Sequence, residues 1–247
     1  MIIKPPAREE IPQLRQLWKQ AFGDSDREIQ NFFHYGFVPE NTLVLPEGEG
    51  AVYWLDCRLG GGKAAYLYAL AVDNSCQNRG LGTLLLTQAE RILAHRGYCA
   101  ALLVPGSQEL TQYYARRGYS VFSTCREVRV RAAQPVELEK LSAREFARQR
   151  ESFLPENAVG QESCLPFFAT QVDFYRGDGF LVAARTENGG VFAPEVLGTA
   201  PLGAVCAALG AGEGRFRIQG TDRVFAMVKP LGRGEIPQRG YLGWALD

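Results

Sequence analysis

Hydrophobic residues in the first part of the chain alternate between helical and strand periods. Residues 7–22 carry apolar side chains every three or four positions, which predicts a helix that ends at Gly23. The stretch Ser25-Asp26-Arg27-Glu28 has the pattern of a capping box and predicts a second helix, closing near Gly36. Shorter apolar runs predict strands at 1–5, 42–45, 50–59 and 64–72, with a glycine hairpin turn at 60–62 between the last two.

A longer amphipathic pattern follows Val72 and predicts a helix over 82–96. Residues 98–105 are continuously apolar, as in a strand buried on both faces. Ser107 then caps a short helix that reaches Arg117, and "YSVF" and "REVRVR" predict two closing strands. We therefore predict an α+β fold, an α/β sandwich in which a mixed central sheet is flanked by helices.

The second half of the chain repeats this order of elements more weakly. A capping box at Ser142–Glu145 predicts a helix to about Phe153, and residues 161–175 are helix-like. A hairpin (179–185 and 190–197), an Ala-rich helix (202–209) and the strands "RFRIQ", "VFAMVK" and "GYLGWAL" follow. We interpret this as a decayed duplication, with domains at 1–131 and 135–247; an unrelated α+β extension is nearly as good a reading.

Composition narrows the functional classes. Lys+Arg and Asp+Glu both number 27, so the basic excess typical of nucleic-acid binders is absent. No apolar run has the roughly 18 residues that a membrane span needs, and the start lacks a signal-peptide pattern. The six cysteines form no C-x-x-C pair and no histidine lies at metal-ligand spacing. We expect a cytoplasmic protein with reduced thiols, no metal, and no nucleic-acid or membrane partner.

The start of the 82–96 helix lacks an ordinary cap. Arg79-Gly80-Leu81-Gly82 runs directly into the apolar helix, where Ser, Thr, Asp or Asn would normally satisfy the free N–H groups. A strand, a tight glycine turn and a helix start together form an anion site, because successive N–H groups converge and the helix dipole adds positive charge. The loop lacks the lysine of a P-loop and the third glycine of a dinucleotide loop.

The loop does meet a third pattern, [Q/R]-x-x-G-x-[G/A], as Gln77-Asn78-Arg79-Gly80-Leu81-Gly82. Here the chain resembles the GNAT superfamily of acyl-CoA-dependent N-acyltransferases, over residues 1 to about 131. Asn74 stands where family members often carry proline. A second segment, "QYYARRGYSVF" (112–122), looks like the family's Y-x-x-x-G-[FY] motif, with Tyr114 and Gly118 in register.

The resemblance implies transfer of an acetyl group from acetyl-CoA to a primary amine. It implies that backbone N–H groups bind the pyrophosphate at Gln77, Asn78, Arg79, Gly80, Leu81, Gly82 and Thr83. It also implies that the strand residues Leu70, Ala71 and Val72 hold the thioester carbonyl. Ser107 stands where many members have an asparagine that contacts the cofactor, so the side-chain part of that contact is open. Tyr114 would protonate the leaving thiolate as a general acid.

The general base and the acceptor stay undetermined at this stage. His34, Glu28, Glu40 and Asp56 are weak candidates for the base, and for the three carboxylates a solvated surface residue is the better reading. Some two-domain members of the superfamily place the terminal carboxylate near the active site, which keeps that of Asp247 among the candidates.

The partners also stay open. The second half has Gly198-Thr199-Ala200-Pro201-Leu202-Gly203 at the corresponding place, and we predict that it binds no CoA. A small-molecule or peptide amine acceptor is expected, and a homodimer is one option for assembly. A non-catalytic acyl-CoA-binding regulatory module is the alternative function, and an aminoglycoside-modifying enzyme is a weaker one.

Overall fold

The computed structural model describes residues 3–232 and 234–245. These residues form two compact units. Among them, the first unit comprises 3–104 and 228–236, and the second comprises 105–227 and 237–245. The units are defined by compactness, so the sequence domains 1–131 and 135–247 stay a prediction.

The first unit is a mixed sheet with helices. Its helices are α1 (Ile11–Phe22), α2 (Asp26–Asn31) and α3 (Leu81–His95). Its strands are β1 (Thr42–Val44), β2 (Gly50–Leu59), β3 (Gly62–Val72) and β4 (Ala100–Leu103). The strands are ordered β1-β2-β3-β4; β1 and β3 run antiparallel to β2, and β4 runs parallel to β3.

Local sequence signals position the helices of this unit. Gly23 ends α1 with φ of 73°, and the Ser25 side chain caps α2 by accepting from the Glu28 N–H. A π-helical turn, 32–36, continues α2 to Gly36, where the sequence predicted the end. Leu14, Leu17 and Trp18 pack the buried face of α1. The predicted helices of the first unit are therefore confirmed.

The second unit contains the remaining elements. Its helices are α4 (Gln108–Ala115), α5 (Ala143–Arg150), α6 (Leu165–Phe168) and α7 (Leu202–Ala208). Its strands are β5 (Ser120–Arg131), β6 (Glu139–Leu141), β7 (Asp173–Gly177), β8 (Phe180–Glu187), β9 (Gly190–Gly198), β10 (Glu213–Gln219) and β11 (Arg223–Pro230), the last of which ends in the first unit. The order beyond β11 is β5-β10-β9-β8-β7-β6. Strands β10 and β9 are parallel, and the pairs β5–β10, β9–β8, β8–β7 and β7–β6 are antiparallel.

Each unit uses the same local succession of elements. A helix with a capping box precedes an antiparallel hairpin, and a helix then leads to a strand parallel to the hairpin's second strand. The first unit does this with β2, β3, α3 and β4, and the second with β8, β9, α7 and β10. The predicted mixed sheet with flanking helices is confirmed.

Four sequence predictions need correction. "YSVF" and "REVRVR" belong to one strand, β5, because no turn-forming residue separates them. Residues 161–175 contain a 3-10 turn (Glu162–Cys164) and the short α6 before they become β7, since Phe174 and Tyr175 pair in the sheet. "GYLGWAL" is not a strand over its described residues and makes a single bridge, Ala158 to Tyr241. Of the predicted strand 1–5, the described part makes one bridge, Lys4 to Val44.

Candidate functional site

The end of β3 presents a free backbone edge. Strand β4 pairs with β3 only from Ala64 to Tyr66, whereas β3 continues to Val72. The N–H of Asp73 donates to the carbonyl of Glu49 at 2.8 Å, so Asp73 faces β2. Backbone groups of successive strand residues alternate between the two edges, so Leu70 and Val72 direct their N–H groups away from β2. These are two of the three strand residues predicted to hold a carbonyl oxygen.

A register shift precedes this edge. Tyr53 of β2 lies opposite Ala69 and Trp54 opposite Leu67, which leaves Tyr68 as an extra residue in β3. Its ring stacks on Phe32 with a centroid distance of 5.3 Å. A bulge increases the local twist of a strand and disrupts its ladder locally. This bulge lies just beyond Tyr66, the last residue of β3 that pairs with β4.

The glycine loop connects β3 to α3 through two left-handed residues. Asn78 has φ of 61° and Gly80 has φ of 77°. Gly80 is the N-cap of α3, and no side chain caps this helix end. A Cβ built on Gly80 would meet no atom within 4 Å, so the backbone conformation rather than crowding requires glycine here. The space beside the helix start is open to a ligand.

Two side chains of the loop are engaged with neighbouring residues. Gln77 donates to Asn74 Oδ1 at 2.8 Å. Arg79 lies 3.5 Å from Glu49 Oε1 and 3.4 Å from Cys76 Sγ. This leaves the backbone as the loop's main source of hydrogen-bond donors for an anion, which agrees with the predicted role of residues 77–83.

Helix α3 is held firmly behind the loop. Its buried face carries Leu81, Leu85, Leu86, Ala89 and Leu93 at helical spacing. Lys229 of the same unit donates to Glu90 Oε2 at 2.6 Å. Because the helix is fixed by packing along its length, its N-terminal amides are fixed in direction.

The matching helix start in the second unit is closed by the chain itself. A Cβ on Gly203 in α7 would lie 2.7 Å from the carbonyl oxygen of Arg131, and the Ala133 N–H donates to the Gly203 carbonyl at 2.9 Å. The segment that joins the halves therefore packs where an anion would approach. This contact supports the prediction that the second half binds no CoA.

Ser107 and Tyr114 lie on the second unit. Ser107 caps α4, and its Oγ accepts from the Leu110 N–H at 3.2 Å, so its side chain is already used. Tyr114 is half-buried and its ring packs edge-to-face on Tyr119, 5.7 Å away. Burial raises the pKa of Tyr114 to about 12, with the neighbouring Tyr113 adding to the rise. Tyr114 is therefore protonated at neutral pH, as a proton donor must be.

Raised tyrosine pKa values predict that stability falls at alkaline pH. Burial raises the pKa of five phenols, namely Tyr53, Tyr98, Tyr114, Tyr175 and Tyr241. Above about pH 10 the unfolded chain loses phenolic protons that the folded chain keeps, so the free energy of unfolding decreases as pH rises. We expect the urea midpoint to be steady from pH 8 to 9.5 and to fall by pH 11. A midpoint that is unchanged at pH 11 would contradict this.

The candidate general bases differ in whether their side chains already accept hydrogen bonds. The Glu28 carboxylate accepts from the N–H and Oγ of Ser25 at 2.9 and 2.6 Å, so it serves as a helix cap. Asp56 accepts from the Tyr98 hydroxyl at 2.5 Å. His34 and Glu40 are exposed. The terminal carboxylate of Asp247 lies outside the described residues.

A polar groove beside the loop was missed from the sequence. It has a volume of about 530 Å³ and lies in the first unit between α1 and the loops that flank β2 and β3. Its side chains include the amides Gln13, Gln16 and Gln20 and the carboxylates Glu47, Glu49 and Asp73. Hydrogen bonds from Ser75 lower the pKa of Asp73, which keeps it ionised. The spacing of the three glutamines on one helix face was the available signal.

The described residues contain neither a metal-binding cluster nor a membrane-spanning helix. Within 3–232 and 234–245, no group of three or more His, Cys, Asp or Glu side chains is arranged to hold a metal ion. In the same part of the chain, every helix is too short or too polar to cross a membrane. The six cysteines are free, and all but Cys99 are buried.

Comparison with known proteins identifies the first half. Residues 3–122 match the model of an acetyltransferase (GNAT) domain. No curated protein matches the chain. The segment matched by the domain model includes β3, the glycine loop and α3, together with the Tyr114 motif.

Solved structures resemble the chain along almost its whole length. A GCN5-related N-acetyltransferase from Anabaena variabilis ATCC 29413 is 12% identical with a TM-score of 0.69, covering 93% of this chain and 72% of its own. A protein from Pyrococcus horikoshii described as an acetyltransferase is 14% identical with a TM-score of 0.66, covering 100% of this chain and 95% of its own. A tandem GNAT protein from the clavulanic acid biosynthesis pathway is 14% identical with a TM-score of 0.60, covering 95% and 99%. At these identities the likeness shows the fold alone.

Proposed function

We propose that this protein, whose residues 3–122 match an acetyltransferase (GNAT) domain, transfers an acetyl group from acetyl-CoA to a primary amine. The acceptor is a small molecule or a protein, and its amine attacks the thioester directly. The family and the fold support acyl transfer in general. The acyl donor, the class of acceptor and the roles of individual residues are what we propose.

One observation carries the proposal: the helix start at Gly80 is uncapped and open. Gly80 has a left-handed backbone and empty space beside it, whereas in the first turn of α7 a Cβ on Gly203 would meet the Arg131 carbonyl oxygen. A helix N-terminus with open amides fits a pyrophosphate. The adjoining free edge of β3 adds donors for a carbonyl oxygen. Both features fit acetyl-CoA.

Each group has a distinct part in the proposed reaction. When bound, acetyl-CoA supplies the acetyl group as a thioester. The N–H groups of residues 77–83 would hold its pyrophosphate, and the Ser107 backbone would add to this contact. The N–H groups of Leu70 and Val72 would donate to the oxygen that gains negative charge. Tyr114 would give its proton to the leaving sulfur.

Binding of coenzyme A is the first test. Isothermal titration calorimetry should detect it for the full chain, and thiol release from acetyl-CoA across a panel of amines should detect turnover. Binding without thiol release from any amine would favour the non-catalytic module over the enzyme. No heat at millimolar coenzyme A would contradict both.

Gly80 in the glycine loop and Gly97 beyond the other end of α3 provide a matched pair of variants. Gly80→Ala and Gly97→Ala both place a Cβ at φ of 77°, and neither position has an atom within 4 Å of that Cβ. Both variants should lose about 1 kcal/mol of stability from backbone strain. Gly80→Ala alone should weaken coenzyme A binding, by about tenfold or more, because its methyl group occupies the anion's approach.

The two variants share strain but lie at opposite ends of α3. Calorimetry on both, at a temperature where each is folded, separates strain from ligand contact. Equal affinity for coenzyme A in the two variants would show that Gly80 does not form the binding site.

A further inference from the structure

A second cavity lies entirely within the second unit. Its volume is about 680 Å³, and four segments line it: 121–124, 155–157, 219–221 and 239–241. This volume is typical of small-molecule sites. The four segments are far apart in sequence, so only the fold brings them together.

The walls of this cavity are held by close backbone contacts. The Gly240 N–H donates to the Phe122 carbonyl at 3.0 Å, and the Val159 N–H donates to the Tyr241 carbonyl at 2.8 Å. A Cβ on Gly240 would lie 2.2 Å from the Asn157 carbonyl oxygen. The hydroxyl of Tyr241 donates to the buried Glu195 at 2.9 Å. These contacts give the cavity a preformed shape.

Ser123 is a buried lining residue with unused hydrogen-bonding capacity. It is 8% exposed, and its Oγ has no hydrogen-bond partner in the described part of the chain. A buried hydroxyl without a partner costs free energy, and such groups in proteins are rare. The Oγ atom itself is closed to the cavity, so it belongs to the wall and not to the surface that a ligand would touch.

Two opposite charges border the same cavity. Glu156 and Arg239 line it, both are exposed, and among the described residues neither forms an ion pair. Nearby charges are paired, by contrast: Arg126, which lies beside Gly220 of the cavity, pairs with Asp222 at 3.0 Å. The remaining lining includes the apolar surfaces of Val121, Phe122 and Pro155.

We propose that this cavity binds a small zwitterion, a free amino acid or a short peptide. Its ammonium group pairs with Glu156 and its carboxylate with Arg239. Its apolar side chain lies against Val121 and Pro155. The site does not depend on the proposed acetyl transfer, and the two can be tested apart.

Calorimetry with three related probes tests the charges. Leucyl-leucine should bind the wild-type chain, and its C-terminal amide and N-acetyl forms should bind about tenfold more weakly, as expected when a charged hydrogen bond is lost. Glu156→Gln should abolish the difference between leucyl-leucine and its N-acetyl form. Arg239→Gln should abolish the difference between leucyl-leucine and its amide. Free leucine as a fourth probe distinguishes an amino acid from a peptide.

Matched controls exist in the same unit. Glu137→Gln and Arg144→Gln remove one exposed charge each from outside the cavity lining and should leave all affinities unchanged. The proposal fails if neither leucine nor leucyl-leucine binds at 10 mM, if the modified probes bind as well as the free dipeptide, or if the controls weaken binding equally. Coenzyme A titrated into the same samples reports on the other site independently.

Discussion

Tyr114→Phe should lower kcat by about 10² to 10⁴, the range expected when a general acid is removed. The variant loses only the hydroxyl, and no hydrogen bond from that hydroxyl to a described residue is present. The fold and the affinity for coenzyme A should therefore be nearly unchanged. Thiol release measures kcat, and calorimetry measures the affinity.

The adjacent tyrosine is the control for this variant. Tyr113 is also half-buried, but Arg117 covers its ring at 3.4 Å from the centroid. Tyr113→Phe should keep wild-type kcat. Equal loss of kcat in both variants, or a parallel loss of coenzyme A binding in Tyr114→Phe, would refute the assigned role.

The raised pKa of Tyr114 constrains the pH profile of the same reaction. With a pKa of about 12, Tyr114 remains protonated through pH 10. A decline of kcat between pH 8 and 10 would therefore come from another group. If that decline disappears in Tyr114→Phe, Tyr114 is the titrating group, and its pKa in the enzyme with bound substrate is lower than in the free protein.

Glu195→Ala should destabilise the protein by about 3–5 kcal/mol, because it leaves a buried cation without its partner. The Glu195 and Arg150 side chains are 0% and 5% exposed, and two hydrogen bonds of 2.8 Å join them. Trp244 Nε1 also donates to Glu195, at 2.8 Å. Burial alone would lower the pKa of Arg150, but the charge of Glu195 raises it. Chemical denaturation monitored by tryptophan fluorescence measures the loss.

Two comparisons separate the buried pair from charge in general. Asp222→Ala breaks an exposed pair with Arg126 and should cost less than about 1 kcal/mol. The double variant Arg150→Met with Glu195→Leu removes both charges and should be more stable than Glu195→Ala. A double variant as unstable as the single one would show that specific hydrogen bonds, rather than the unpaired cation, account for the loss.

The same network positions the last described segment of the chain. Gln161 Nε2 donates to the Trp244 carbonyl at 2.7 Å, and Arg217 donates to the Ala245 carbonyl at 2.9 Å. Side chains rather than strand pairing hold this segment. For this reason "GYLGWAL", which has the composition of a strand, does not form one over its described residues.

The sequence by itself determined most elements of the first half and the uncapped helix start. Ser25, Gly23 and Gly97 act on their own neighbours within a turn, so their effects can be read without knowing the fold. The glycine loop is local in the same sense, because Gly80 is the N-cap of the helix that follows it. The same holds for the cap at Ser107, whose engagement with Leu110 needs only four consecutive residues.

Only the tertiary structure decided the features that join distant segments. Glu195 lies within an apolar strand, and only the fold places Arg150, 45 residues away in the chain, against it. The zwitterion cavity draws on four separated segments that no single sequence pattern connects. Hydrogen bonds, ion pairs and cavity walls between such segments depend on which strands become neighbours. That choice is made by burial of the whole core, which no short window of sequence contains.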